Sequence, residues 1–420
     1  MEKLNNFIIK TILLVSVLFH MLNSTSAQNV EIIGDTCEIS MNGYKGGSIQ
    51  WQFSNDNSKW KDINGANNQV LSYKISETVY FRAKVTDGKC SFISETNSIE
   101  AFNFDNLNEN GKTRVSKNSE FIILIPDIQN YISNAGNDVY LEKIIDWILK
   151  FTSAGFKIKA VLQVGDVTNF NSRPEWEKAQ KIFSKLNNKI DYISTTGNHD
   201  YGDNGACNNR NTYFSEYFNF STNPTSVSTF ERNKFENTYI KVNIHNKPFQ
   251  IFTLEFGPRD KVMSWADSIA KANPNVTGML MTHAYLFKNK QRFNYQDKSL
   301  NQKNSPKDYK NLFPKFGIGN VNDGEDIWNK FLFPNSNLKF AFCGHQTGDY
   351  IGNLITKNKA NSEVLQLMFN TQAFPNGGDG WIQIMEFFDD KKTVGIKTYS
   401  AFYNTWKTDA YHQYDFPYSN

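Results

Sequence analysis

From residue 120 onward the chain moves between two hydrophobic rhythms. Phe121-Ile122-Ile123-Leu124-Ile125 is an unbroken apolar run, the mark of a strand covered on both faces. Leu141, Ile144, Ile145 and Ile148 then recur at helical spacing. A second apolar strand follows at 158–164. Ser172, with Glu175 three residues on and Pro174 between them, predicts a capping box opening a helix. Trp176, Ala179, Phe183 and Leu186 give that helix an apolar face. A third strand falls at 190–195. Strand, helix, strand, helix, strand predicts a parallel α/β sheet. Further strands are expected at 239–244, 250–254, 278–281, 339–342, 363–368, 381–387 and 394–399. The last of these follow one another with little helix between them, which predicts antiparallel additions.

Upstream the pattern shortens. Residues 28–103 read as brief strands between polar turns. Ser48 to Phe53 and Thr78 to Val85 alternate, and Asn55-Asp56-Asn57 and Asp87-Gly88 supply turns. That spacing predicts a small all-β sandwich, with Trp51 and Trp60 as core or rim aromatics. Residues 104–117 are polar and aperiodic, as in a linker. The organisation is therefore a β-sandwich at 28–103, a linker at 104–117 and an α/β domain at 118–420. A length of 420 residues suits two domains.

An apolar content of 39%, with 15% aromatic residues, is enough for a substantial core. A net charge of +3, with no dense Lys/Arg face, argues against a nucleic-acid-binding surface. Lys3 and Lys10 flank an apolar run at 12–22, and Ser24-Thr25-Ser26-Ala27 follows. Thr25 and Ala27 fit a leader cleavage site, so residues 1–27 are expected to be a signal peptide and Gln28 the new N-terminus. An uncleaved N-terminal anchor is the alternative. The run is short for a membrane span, and no other stretch is longer. The mature chain is expected to lack a transmembrane segment and to be exported, whether to the periplasm, the cell surface or the medium. Export permits disulfides. Four cysteines allow three pairings. Cys37 and Cys90 share the N-terminal region and are predicted to pair; Cys207 with Cys343 stays open as a second bridge.

The candidate chemistry lies where the α/β strands end. After 121–125 comes Pro126-Asp127-Ile128-Gln129-Asn130. After 158–164 comes Gly165-Asp166-Val167-Thr168-Asn169. Gly197-Asn198-His199-Asp200 follows 190–195, Thr282-His283 follows 278–281, and Gly344-His345-Gln346 follows 339–342. Open α/β sheets place their ligand crevices at such strand ends. The chain has six histidines, and His199, His283 and His345 all fall in this set. Carboxylate, amide and imidazole together form a mixed oxygen and nitrogen donor set that suits Mn, Fe or Zn.

The order Asp-x-Gln, Gly-Asp-x-x-Asn, Gly-Asn-His-Asp, Thr-His, Gly-His is similar to that of the calcineurin-like metallophosphoesterases, over residues 120–403. The stretches 254–260, 322–326 and 376–381 resemble an exported bacterial branch of that family. The resemblance implies a four-layer αββα sandwich of the α/β class, with two divalent metals at the strand ends. It implies that Asp166 bridges them, that Asn198, His283 and His345 complete one site, and that Asp127 anchors the other with Gln129 as a neutral oxygen. His199, held by Asp200, would face the substrate phosphate as general acid or charge stabiliser. Asn169 would orient a ligand from behind, and Arg259 is a candidate phosphate contact, or else a loop arginine paired with Asp260. An early cysteine, a Gln-Trp-Gln strand, a Tyr-Phe-Arg-Ala strand and a later cysteine resemble the immunoglobulin-like modules of exported bacterial enzymes.

Two positions depart from the family pattern. Its Asp-x-His is Asp127-Ile128-Gln129 in this chain, and its Gly-His-x-His is Gly344-His345-Gln346-Thr347. Both imidazoles of the Asp127 site are missing. Mn, Fe or Zn is expected at the histidine-rich site and a weaker, harder ion at the Asp127 site. The implied reaction is hydrolysis of a phosphomonoester or phosphodiester by a metal-bound hydroxide. The alternative is a metallophosphoesterase fold that has lost catalysis and serves in binding or adhesion.

Overall fold

The computed structural model describes residues 28–418 except 34–35, 42–43, 45, 75–78, 89, 95, 100–113, 220–225, 310–319 and 348–349. The expected signal peptide at 1–27 and most of the linker lie outside the described residues. Two compact units divide between Arg114 and Val115.

The first unit is all-β. Its strands are β1 (Gln28–Ile33), β2 (Thr36–Met41), β3 (Ser48–Ser54), β4 (Lys61–Asp62), β5 (Val70–Lys74), β6 (Val79–Asp87), β7 (Cys90–Ile93) and β8 (Asn97–Ile99). They form one sheet in the order β1-β2-β5 and another in the order β4-β3-β6-β7, with β8 also on β6. Ile39 and Leu71 of the first sheet pack with Ile49, Trp51, Phe81 and Ala83 of the second. Trp51 is wholly buried, and its indole N–H donates to the Asn68 carbonyl at 2.9 Å. Trp60 sits at the rim under the Arg82 guanidinium, 4.1 Å from its ring centre. The side chains of Cys37 and Cys90, and so their expected bridge, lie outside the described residues.

The second unit carries β9 (Glu120–Ile125), β10 (Lys157–Gln163), β11 (Tyr192–Ser194), β12 (Ser226–Glu231), β13 (Lys234–Ile244), β14 (Lys247–Leu254), β15 (Thr277–Thr282), β16 (Leu286–Phe287), β17 (Gln291–Arg292), β18 (Leu338–Cys343), β19 (Ile351–Lys357), β20 (Glu363–Phe369), β21 (Trp381–Phe387), β22 (Thr393–Ser400), β23 (Thr405–Lys407) and β24 (Gln413–Pro417). One sheet runs β11-β10-β9-β21-β22-β23 with β24 also on β22; the other runs β12-β13-β14-β15-β18-β20-β19. β9, β10 and β11 are mutually parallel, and β21 to β24 join them antiparallel. In the second sheet β14, β15, β18 and β20 are parallel.

The two sheets stack through alternate residues of their buried strands. Ile122 and Leu124 of β9 and Leu162 of β10 meet Ile251, Met279, Met281, Phe340 and Phe342 of the second sheet. The other face of β9 takes the helix Asp138–Ser153, where Phe121 meets Phe151 edge-on at 5.1 Å. The helix Arg173–Phe183 covers β11, with Phe183 5.3 Å from Tyr192. On the far side, the helices Asp260–Ala272 and Gly324–Ile327 pack Val262, Met263, Ala266 and Ile327 against Phe252, Leu254 and Leu280. The layers are thus αββα. The capping box forms as expected: Ser172 donates its backbone N–H and its hydroxyl to Glu175, at 3.3 and 2.9 Å. No helix among the described residues is long and apolar enough to cross a membrane.

Cys207 and Cys343 are both free and buried, which corrects the option of a bridge between them. They belong to different packing groups: Cys207 lies among Tyr201, Phe256 and Phe293, and Cys343 lies with Leu286 and Met368.

Candidate metal centre

Each strand end expected to carry chemistry delivers its residue to one place. Asp127 follows β9, Asp166 follows β10, and Asn198 and His199 follow β11, all from the first sheet. His283 follows β15 and His345 follows β18, from the second. The loops close on one another, within the first sheet and across to the second, because glycine lets them. A Cβ on Gly197 would sit 2.0 Å from Asp166 Oδ1, and one on Gly344 would sit 1.9 Å from Asp127 Oδ1. No other residue permits that approach.

The centre of the cluster is Asp166, held at φ 51° and 1% exposed. Together with His283 and His345 it offers ligand atoms that all lie within 4.8 Å of one another. His283 Nε2 is 3.2 Å from Asp166 Oδ2 and 3.2 Å from His345 Nδ1. The outward-facing nitrogens fix both rings. His283 Nδ1 lies 2.9 Å from the Val164 carbonyl, and His345 Nε2 lies 2.7 Å from the Asn304 carbonyl. A carbonyl only accepts, so these nitrogens carry the protons and Nε2 of His283 and Nδ1 of His345 are turned inward. Phe256 and Phe293 back His345 at ring separations of 5.7 and 5.9 Å.

The charges follow from this packing. Burial works against the Asp166 carboxylate, but His283, His199 and His345 beside it hold it below the usual range. Burial works against a charged His283 too, and Asp166 and Asp127 overcome that and raise it to about 9. His345, buried and next to His283, is pushed down to about 3. Asp127, cut off from water, rises above the usual carboxylate range.

Asn198 is 6% exposed, and its Oδ1 is buried with no hydrogen-bond partner. Buried oxygens normally have partners, and Asn198 sits between Gly197 and His199, which both lie against Asp166, so its orphan oxygen fits a ligand to a cation. Asp166, His283, His345 and Asn198 together suit a divalent transition metal.

His199 donates its backbone N–H to Asp166 Oδ1 at 3.0 Å, and its ring Nδ1 lies 3.0 Å from the Asn169 carbonyl. This corrects two expectations. Asp200 does not hold the His199 ring; its oxygens accept from the N–H groups of Val167, Thr168 and Gly197 and from the Thr168 hydroxyl, at 2.8 to 3.1 Å. Asn169 acts through its main chain, on His199. Arg259 is also corrected. Its guanidinium donates to Glu255 at 2.8 and 3.2 Å and to Glu231 at 2.9 Å, so carboxylates already occupy it.

Asp127 and Gln129 reach the cluster, but through hydrogen bonds. His345 N–H donates to Asp127, and so do the amides of Asn370 and Gln372. Gln129 Nε2 donates to Asp166 Oδ2 at 3.0 Å and to the side-chain Oε1 of Gln372. Sequence reading missed Asn370, Gln372 and Asn304. A signal was present for the first two, because β20 also ends in amides, in Asn370-Thr371-Gln372.

Stacked sheets with a carboxylate and imidazole cluster at their parallel strand ends define a metallophosphoesterase-type domain. Residues 122–349 match the family model of calcineurin-like phosphoesterases, and the chain belongs to that family. Residues 23–101 match a domain of unknown function (DUF8696). The uncharacterized protein YvnB of Bacillus subtilis (strain 168) is 23% identical over 290 residues, covering 65% of this chain. That match spans only 20% of YvnB. Among solved structures, a purple acid phosphatase from yellow lupin (Lupinus luteus) seeds is similar over 93% of this chain and 74% of its own, with TM-score 0.42 and 10% identity. A 5'-nucleotidase from Candida albicans SC5314 is similar over 68% and 48%, with TM-score 0.33 and 13% identity.

Proposed function

We propose that this chain is an exported, metal-dependent hydrolase of phosphomonoesters or phosphodiesters, preceded by an immunoglobulin-like module. The observation that carries the reading is the convergence of ligand atoms of Asp166, His283 and His345 within 4.8 Å, and the buried, unpartnered Oδ1 of Asn198 supports it. The leader pattern of residues 1–27 supports export, and the two-sheet packing of the first unit supports the immunoglobulin-like assignment.

Asp166, Asn198, His283 and His345 would hold the cation. When bound, it would supply Lewis acidity toward a phosphoryl oxygen and make water nucleophilic near neutral pH. The remaining work falls to the protein. Val164 and Asn304 keep the two imidazoles facing inward through their carbonyls. His199 commits Nδ1 to Asn169, so Nε2 is the atom that meets the substrate. A protonated His199 there neutralises charge gathering on the phosphoryl group, or gives its proton to the leaving oxygen. Phe256 and Phe293 exclude water from the rear of His345.

The test is turnover of chromogenic phosphomonoesters and phosphodiesters by the full chain, with added Mn²⁺ and with chelator. Turnover that chelator abolishes, and that Asp166→Asn loses together with metal, is the expected result. No turnover on any of these substrates with metal bound would overturn the reading.

A further inference from the structure

We propose that the centre binds a single divalent cation, and that a chain of side-chain amides occupies the ground between Asp127 and Asp166 where a second cation was expected. The inference rests on the metal reading given above and concerns how many ions the centre takes.

Asp127 is fully buried, and its Oδ2 is already engaged. Oδ2 accepts from Asn370 Nδ2 at 2.7 Å, Gln372 Nε2 at 3.1 Å and His345 N at 3.0 Å; Oδ1 accepts from the same His345 N–H at 3.2 Å. A carboxylate has about four lone-pair sites; three N–H groups make these four contacts, with the His345 N–H straddling both oxygens, so Oδ2 is filled and Oδ1 keeps one site to offer an ion. Gln129 completes the link. Its Nε2 donates at once to Asp166 Oδ2 and to the side-chain Oε1 of Gln372, and Gln372 Nε2 goes on to Asp127. Asp166, Gln129, Gln372 and Asp127 thus form one continuous hydrogen-bonded bridge between the two carboxylates.

An amide N–H aimed at a carboxylate does in part what a cation does: it places positive charge against the oxygens and fixes their position. It also excludes the cation, because both need the same lone pairs. Among the side-chain oxygens of Asp127, Gln129 and Gln372, only Gln129 Oε1 has no partner. One neutral oxygen beside a single site on Asp127 Oδ1 is a poor set for ions that require about six or more oxygen ligands, and the two positions that carry histidine in the family pattern, Gln129 and Thr347, offer no imidazole to recruit a softer one. Thr347, where the family pattern has histidine, is exposed.

The experiment is metal analysis of the full chain after loading with excess Mn²⁺ and extensive dialysis, paired with Mn²⁺ electron paramagnetic resonance. One equivalent per chain with an isolated-ion spectrum is expected. Two equivalents, or an exchange-coupled pair, would overturn the inference and leave the hydrolase reading standing. No bound metal would overturn both. A second arm uses Gln129→His with Asn370→Ala and Gln372→Ala, which leaves Asp127 Oδ2 only its His345 N–H contact and supplies an imidazole. This variant is expected to gain a second equivalent. A variant that folds and still takes one would count against the amides as the excluding element.

Discussion

The ring of His199 is anchored on a neighbouring main chain: its Nδ1 lies 3.0 Å from the carbonyl oxygen of Asn169. The contact fixes which nitrogen faces outward. Replacing His199 with alanine should lower turnover by about 10² or more, as loss of a positioned proton donor does, with metal content unchanged. Asn169→Ala keeps the carbonyl, and should cost far less. Steady-state rates together with metal analysis check both. A His199→Ala enzyme with full turnover would remove the imidazole from the mechanism.

Metal uptake should release protons from His283. Beside Asp166 and Asp127 its folded value is about 9 against an ordinary 6.5, so it is charged at pH 7 in the metal-free chain. A cation requires it neutral. Binding at pH 7 should release about one proton, falling toward none as pH passes about 9. Calorimetry in two buffers of different ionisation enthalpy measures this. The same shift affects stability. The folded value is raised, so the metal-free fold holds this contribution in full below 6.5 and loses it as pH rises through about 9. His345, pushed down to about 3, stays neutral throughout this window.

Asp200 is predicted to be a stability residue. Alanine there would leave three backbone N–H groups and the Thr168 hydroxyl without an acceptor. Each buried orphan costs about 1–3 kcal/mol, so a total loss of at least ~3 kcal/mol is expected. Denaturant unfolding measures it. Asp200→Asn, which keeps one acceptor oxygen, should fall between alanine and the parent.

Arg259→Ala separates a structural role from a substrate role. It removes the nearest partner of Glu255, a carboxylate 3% exposed, but leaves Arg210 at 3.6 Å. The expected loss is about 2 kcal/mol, below the 3–5 typical of a fully broken buried pair. KM for a phosphoester should stay within about twofold, since no uniform binding interaction is removed. A large rise in KM would return Arg259 to the substrate.

The central strands were legible because both faces are buried, and their residues advertise it in unbroken apolar runs such as 121–125. The edge strands of the second sheet were not. β12 and β19 read Ser-Val-Ser-Thr-Phe-Glu and Ile-Gly-Asn-Leu-Ile-Thr-Lys, and β19 lies partly open to solvent, where composition is loosely constrained. His283 and His345 were legible because strand ends carrying histidine are distinctive, and Asp166 because a carboxylate directly follows an apolar strand and a glycine. Asn370 and Gln372 end β20 in the same way, but amides are common in turns and do not stand out. Asp200 was misread for a geometric reason. Next to His199 in sequence, it invited a side-chain pairing, yet the turn sends its carboxylate to the backbone of the 165–168 loop.

Asp166 rides on one sheet, while His283 and His345 ride on the other. An ion gripped by all three is therefore a rivet through the seam of the sandwich. Demetallation should lower the melting point of both sheets in step, by the equivalent of about 2.7 kcal/mol when the loaded state is measured at a hundredfold excess over its dissociation constant.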